Sequence, residues 1–336
     1  MSKTDQPPAV IKIRSGRLIA RDVDGSDPRR PTIRPKRLEA NRRLVIYELP
    51  TSWLKAGSNA RGVDIDVGTF ADVQALLKPA SLEAAPLPVP VIRGKAILAE
   101  LGINALELLL AADARIKGGW ATQPPTISLL ISITGLHQPY DPESDKTKMV
   151  HPSCAFHKSH LARWMTDFAV GGLRIDGVNN IANWDFVRAY RDRAWELYND
   201  RCPNSTADPS KFPVVGEELG IPIDIVRGGH RDVLWNEPWQ QRLRVVLVGE
   251  GARGDNFEWT LRKVANCLLD RFDGGRGFEH EPQAVNYVTL HDIEAYGNEK
   301  KRSYNFCKNK GILDIEKRAK LTFVMLLTSV GIPMIL

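Results

Sequence analysis

The chain has 336 residues, 43% of them hydrophobic and 26% charged, with a formal net charge of +6. That balance is ordinary for a folded protein and excludes a chain disordered throughout. There is no run of about 18 apolar residues, and the start MSKTDQPPAV lacks the apolar stretch of a secretory signal, so a cytoplasmic protein with no membrane partner is expected. The four cysteines, Cys154, Cys202, Cys267 and Cys307, are far apart and include no CxxC pair. They are read as buried or incidental thiols, not as a disulfide scaffold or a zinc site.

Residues 1–43 carry twelve Lys/Arg against five Asp/Glu, so the positive balance belongs to this Pro- and Arg-rich leader and the rest of the chain is close to neutral. Prolines and like charges disfavour packing; a flexible, solvated leader is expected, not an arm for nucleic acid.

From residue 44 to 336, short β-branched or leucine-rich runs alternate with longer amphipathic stretches, the pattern of parallel strands joined by helical crossovers. Predicted strands are Leu44–Leu49, Asn104–Leu109, Ile127–Ile133, Gly171–Asp176, Phe212–Glu217, Asp232–Asn236, Ala284–Asp292 and Gly331–Leu336. Between them, Val91–Leu101 is a predicted helix with Gly102 as its left-handed cap. His160–Val170 places Leu161, Trp164, Met165 and Phe168 on one stripe, and Trp184–Tyr198 does the same with Phe186, Tyr190, Ala194 and Leu197. Ile315–Val330 is apolar over most of its surface late on, which predicts packing on more than one side. Eight strands with interleaved helices predict an α/β fold of the (β/α)8, or TIM-barrel, type, with its chemistry at the carboxyl ends of the strands.

Three of the predicted strands finish in a carboxylate: GGLRIDG in Asp176, FPVVGEE in Glu217 and AVNYVTLHD in Asp292. A charged group at the end of a buried strand is costly unless it faces a solvated mouth. The separations, 41 residues and then 75, match about one and about two strand-helix units, so the three acids can converge. Arg174 lies two residues before Asp176 and leaves an extended strand on the same face, where its guanidinium keeps Asp176 ionised. Glu217 follows a glycine at the end of an apolar run and is placed for a raised pKa and proton donation. Glu218 is expected to point the other way. One ionised and one protonated carboxyl, close together, are the minimum for retaining glycoside cleavage. Asp292, with His291 beside it, is placed to hold sugar hydroxyls.

Two other clusters carry less. His151, His157 and His160 are neighbours without acidic companions at ligand spacing, so no metal is expected there. Asp273–Gly277 lacks the GK[ST] of a phosphate loop and reads as a turn.

These residues resemble a known family. GGLRIDGV is similar to the nucleophile motif of the α-amylase superfamily (glycoside hydrolase family 13), VVGEE to its acid/base motif and NYVTLHD to its third-carboxylate motif. LVIYEL and LGINALELL resemble its first two barrel strands and GIPMIL its eighth, so the resemblance covers about residues 44–336. It implies Asp176 as nucleophile, Glu217 as general acid/base, Asp292 as transition-state stabiliser, and Arg174 and His291 as subsite residues. It also implies an α-glucan oligo- or polysaccharide such as glycogen as substrate, through α-1,4 or α-1,6 linkages, with no cofactor. The flavour of VIYEL, GTFADV and LGINALELL is nearest the branching, debranching and trehalohydrolase group.

The chain departs from the family in places. Where an Asp-x-x-x-Asn-His motif belongs, Ser132–His137 keeps only His137, which remains a candidate subsite residue. Gly118–Thr122 stands where a Trp-Gly-Tyr segment would stack on sugar. Only about 60 residues separate the second and fourth strands, so the region of the third is read as shortened. With no eighth helix or C-terminal β-sandwich after Leu336, residues 44–336 are expected to form an incomplete, C-terminally truncated barrel. The alternative to an active glycosidase is a vestigial or glucan-binding barrel.

Overall fold

The structure is a computed structural model of the chain. It describes residues 38–50, 101–109, 138–141, 146–150, 152–178, 184–201, 208, 210–217, 223–266, 277–290 and 303–336, with 13–14, 17–18, 73 and 98. In chain order the parallel strands are β1 (Ile46–Pro50), β2 (Ala105–Leu109), β3 (Leu173–Ile175), β4 (Val214–Gly216), β5 (Val233–Trp235), β6 (Ala284–Tyr287) and β7 (Ile332–Ile335). The helices are α1 (Pro152–Asp167), α2 (Trp184–Asp200), α3 (Asp224–Arg227), α4 (Glu237–Leu247), α5 (Phe257–Ala265), α6 (Ser303–Asn309) and α7 (Ile315–Thr328). Two antiparallel pairs, Ile13–Arg14 with Arg17–Leu18 and Gln138–Asp141 with Lys146–Val150, stand outside this series. The chain divides into two compact units, residues 1–41 with 123–234 and residues 42–122 with 235–336.

In the first unit β3, β4 and the start of β5 run parallel, with Leu173 opposite Val214, Ile175 opposite Gly216 and Val215 opposite Val233. Their core is Leu161 and Met165 of α1, Ala194, Leu197 and Tyr198 of α2, and Phe212 and Val214. These positions recur at helical spacing and form one buried stripe on each helix. Two features depart from the predicted stripes. α1 begins at Pro152, eight residues ahead of the expected start, and stops at Asp167. Ala169 then adopts a left-handed φ of 51°, and Phe168, past the last turn, is exposed with its ring 4.8 Å from that of Trp164. In α2 the buried positions include Val187 and Tyr198, with Phe186 and Tyr190 at the margin. Of the segment expected to be a flexible leader, Leu38 packs against this core and Asn41 is buried in a 3-10 turn.

In the second unit β2, β1, β7 and β6 are hydrogen-bonded in that order and all parallel. Asn104 pins the first pair: its Oδ1 accepts from Val45 N–H at 2.9 Å and its Nδ2 donates to the Arg43 carbonyl at 2.7 Å. Gly102, with φ 69°, turns the chain into β2 as its expected left-handed cap; most of the helix predicted at Val91–Leu101 lies outside the described residues. Asn236 and Asn256 cap α4 and α5 by accepting from Trp239 N–H and Trp259 N–H. Asn236 also donates to Asn286 Oδ1 at 2.9 Å, and Asn286 donates to the Val330 carbonyl at 2.9 Å, which satisfies two buried amides. A Cβ on Gly331 would lie 2.6 Å from Asn286 Nδ2, so this buried link requires glycine there.

β5 belongs to both units. Val233 and Leu234 face β4, and Asn236, just past its end, donates its N–H to the Val285 carbonyl of β6. The seven strands are hydrogen-bonded in the order β2, β1, β7, β6, β5, β4, β3, so the last strand runs parallel to the first, as in a (β/α)8 barrel, and no pairing joins β2 to β3 among the described residues. Seven of the eight predicted strands are described, and Ile127–Ile133 lies outside the described residues. α7 differs from its expectation: Leu326 and Thr322 are buried, whereas Leu321, Phe323, Val324 and Leu327 are exposed. No helix among the described residues is long and apolar enough to cross a membrane.

Candidate active site

β3 delivers Arg174 and, one residue past its end, Asp176; β4 delivers Glu217, one residue past its own. The register that sets Ile175 opposite Gly216 brings Asp176 and Glu217 side by side where both strands stop pairing. Gly216 is small for a reason. A Cβ there would come within 3.0 Å of Leu234 Cδ2 and 3.3 Å of both Arg231 Cγ and Val178 Cγ2, so the strand can carry Glu217 this close to its neighbours only with hydrogen at 216. Val178, Val187 and Ile225 form a dry cluster nearby.

Arg174 joins the two acids. Its Nη2 lies 3.0 Å from Asp176 Oδ1 and 2.7 Å from Glu217 Oε2. Only 9% of its side chain is exposed, and a cation so far from water is held by counter-charge. Because both oxygens sit on one nitrogen, their separation cannot exceed those two distances laid end to end. The ceiling applies to this one pair of oxygens and makes the two carboxyl groups close neighbours.

The two carboxylates live in different surroundings. Asp176 keeps 45% of its side chain exposed, Glu217 only 11%. Glu217 is clamped by the backbone as well: its N–H donates to the Ile175 carbonyl at 2.9 Å, and its carbonyl accepts from Val178 N–H at 3.0 Å. Its Oε2 accepts from Gly177 N–H at 3.0 Å in addition to Arg174. Two donors on Oε2 hold that oxygen as an acceptor, so a proton carried by Glu217 belongs on Oε1, which has no hydrogen bond among the described residues.

Of the residues the sequence singles out, Arg174, Asp176 and Glu217 therefore meet. His137, Glu218, His291 and Asp292 lie outside the described residues. Gly177 was not foreseen as part of the cluster, although its Asp-Gly dipeptide is a turn signal; its φ of 48° is the left-handed conformation that signal predicts.

A second arginine-carboxylate cluster was also not foreseen. Asp232 Oδ1 accepts from Arg191 Nε and Nη2 at 2.8 and 2.6 Å, and its Oδ2 accepts from Trp195 Nε1 at 3.0 Å and Val214 N–H at 3.1 Å. This ties α2 to the starts of β4 and β5. Arg231, next to it, is fully buried and donates to the carbonyls of Val187 and His230, and burial pulls its guanidinium down to about 10. Among the described residues no group of three His, Cys, Asp or Glu side chains is arranged to hold a metal ion. His157 packs against Phe186, and His160 accepts from Trp164 Nε1 at 3.1 Å.

Comparison with known proteins gives likeness in structure alone. No family model matches the sequence, and no curated protein matches it. Among solved structures, a Salmonella typhimurium protein assigned as an α-amylase superposes with a TM-score of 0.58 at 16% identity, covering 93% of this chain and 58% of that one. A type I pullulanase from Bacillus subtilis, in complex with maltose, gives 0.57 at 13% identity over 91% of this chain and 52% of that one. The pullulanase of Paenibacillus barengoltzii, in complex with maltohexaose and α-cyclodextrin, gives 0.55 at 15% identity over 89% and 56%. The chain spans little more than half the length of these proteins. It has the barrel fold that they have.

Proposed function

We propose that this chain is an α-amylase-type glycosidase domain acting on α-glucans by a retaining mechanism. Asp176 is the nucleophile, Glu217 the general acid/base and Arg174 the cation between them. The observation that carries the reading is the single guanidinium nitrogen shared by the two carboxylates, which holds the two acids as close neighbours, as a retaining pair requires. The fold shared with an α-amylase assignment and with pullulanases bound to maltose and maltohexaose supports the substrate class.

In the first step a carboxylate oxygen of Asp176 bonds to the anomeric carbon while the glycosidic C–O bond breaks, and the proton on Glu217 Oε1 goes to the departing oxygen. The product is a glycosyl ester on Asp176 with Glu217 ionised. Glu217 then takes a proton from water, or from a sugar hydroxyl, whose oxygen attacks the same carbon and releases Asp176 as carboxylate. Water gives hydrolysis; a sugar gives transglycosylation. His137, His291 and Asp292 are proposed to hold sugar hydroxyls, with Asp292 also facing the positive charge that develops on the ring.

The test is to trap the ester. Incubation with a slow-turnover 2-deoxy-2-fluoro glucosyl fluoride is expected to add one sugar mass to a peptide containing Asp176, and Asp176→Asn is expected to abolish both the adduct and the release of reducing ends from maltooligosaccharides. Undiminished turnover by Asp176→Asn would eliminate the assignment. A purified wild-type chain that binds maltooligosaccharides without altering their length would instead identify a vestigial, glucan-binding barrel.

A further inference from the structure

We propose that Gly177 is a positioning residue: its backbone N–H occupies Oε2 of Glu217 and thereby commits the transferable proton to Oε1. The inference deepens the glycosidase reading and rests on it for its consequence in catalysis, although the geometry stands without it.

Three observations carry it. Gly177 N–H donates to Glu217 Oε2 at 3.0 Å, and Arg174 Nη2 donates to the same oxygen at 2.7 Å. The next residue, Val178, donates its N–H to the main-chain carbonyl of Glu217 at 3.0 Å, so two consecutive amides of one turn grip one residue, the first by its side chain and the second by its backbone. Gly177 stands at φ 48°, a left-handed conformation that glycine adopts freely, asparagine tolerates and β-branched residues avoid.

The turn that begins with Asp176 is thus tied to the side chain of Glu217. It fixes which oxygen of Glu217 is an acceptor, and it does so with a donor that cannot rotate away as a side chain could. An amide aimed at a carboxylate stabilises its ionised form. Gly177 accordingly acts on Glu217 alone, whereas Arg174, shared with Asp176, acts on both acids at once.

The experiment uses the full chain carrying Gly177→Val, whose branched side chain displaces the turn, Gly177→Ala as a milder displacement, and Gly177→Asn, which retains the left-handed conformation. The carboxyl carbon of Glu217 is followed by 13C NMR through a pH titration in each protein. Where turnover is measured, so is the pH dependence of kcat/KM on maltooligosaccharides and on α-glucosyl fluoride, whose leaving group needs little protonation.

In Gly177→Val, or in Gly177→Ala should the valine variant not fold, the Glu217 titration and the alkaline limb of the glucan profile are expected to move to higher pH than in wild type. Turnover of the glucan falls several-fold, turnover of the fluoride changes little, and Gly177→Asn titrates like wild type. An unshifted Glu217 titration in both the valine and alanine variants overturns the proposal, as does an asparagine variant shifted as far as they are. A wild-type chain without turnover would count against the glycosidase reading and leave the NMR titration to decide this one.

Discussion

Two arginine-carboxylate clusters lie in the same unit of the molecule, and they are built to opposite ends. Around Asp232 both oxygens are saturated, by Arg191 on one and by Trp195 and the Val214 amide on the other. Around Arg174 the donors crowd one oxygen of Glu217 and leave the other without a hydrogen bond among the described residues, while Asp176 is partly exposed. A carboxylate that only joins elements gains from every donor it can collect. On the proposed function, Glu217 must accept and deliver a proton, which calls for an uncommitted oxygen, and that is what would distinguish the two.

Separate failures of the two clusters would sharpen this contrast. Glu217→Gln should lower kcat on maltooligosaccharides by about 10²–10⁴-fold with the fold retained, because Arg174 keeps Asp176 as a counter-charge and Gln can still accept from Gly177 N–H. Asp232→Ala should do the reverse. Removing one partner of a largely buried ion pair that also serves a tryptophan and a backbone amide is expected to cost about 3–5 kcal/mol in chemical denaturation, with kcat of the folded fraction unchanged. A stable Asp232→Ala protein with impaired kcat would erase the distinction.

Packing offers a comparison of the same kind within α7, where Leu326 is 1% exposed and Leu327 48%. Leu326→Ala should destabilise by about 2–5 kcal/mol, and Leu327→Ala by no more than about 0.5 kcal/mol, read from urea midpoints. Equal effects would mean that the exposed face of this helix is covered in solution.

The smallest effect concerns acid. Burial, with the charge of His160 adding to it, lowers His157; burial and the charge of Arg163 lower His160. Both folded-state values lie below the unfolded value of 6.5, so the folded chain prefers these imidazoles neutral. The stability they contribute is complete above that pH and is lost as pH falls through the folded values. The bond His160 accepts from Trp164 has the same sign, since a protonated Nε2 cannot accept. Thermal midpoints at about pH 7.5 and 5.5 should show a modest acid loss that shrinks in a His157→Asn, His160→Gln double variant. A double variant that loses as much as wild type would place the acid sensitivity elsewhere.

How much of this was legible beforehand differs from element to element. The run GGLRIDG announced both the strand and the pairing of Arg174 with Asp176, because a two-residue spacing in an extended strand is a local property. Trp184–Asp200 was foreseen nearly to its ends, because its apolar residues recur at helical period. The starting point of α1 was missed, since Pro152–Lys158 carries little periodicity, and the exposure of Phe168 depends on a backbone turn at Ala169 that no side-chain pattern signals. Asp232 read as one more strand-start residue because its partners, Arg191 and Trp195, lie about 40 residues away on another element.

The amino-acid sequence alone determined the order of the described strands and helices and the strand-end positions of Asp176 and Glu217, because periodicity, turn residues and the cost of burying charge all act within short stretches of chain. The tertiary structure decided which oxygens meet. The register between β3 and β4 placed one guanidinium nitrogen against Asp176 and Glu217 together and aimed the Gly177 amide at Oε2. Contacts between residues 40 apart depend on how neighbouring strands align, and that alignment is set by packing across the whole unit, not by any local pattern.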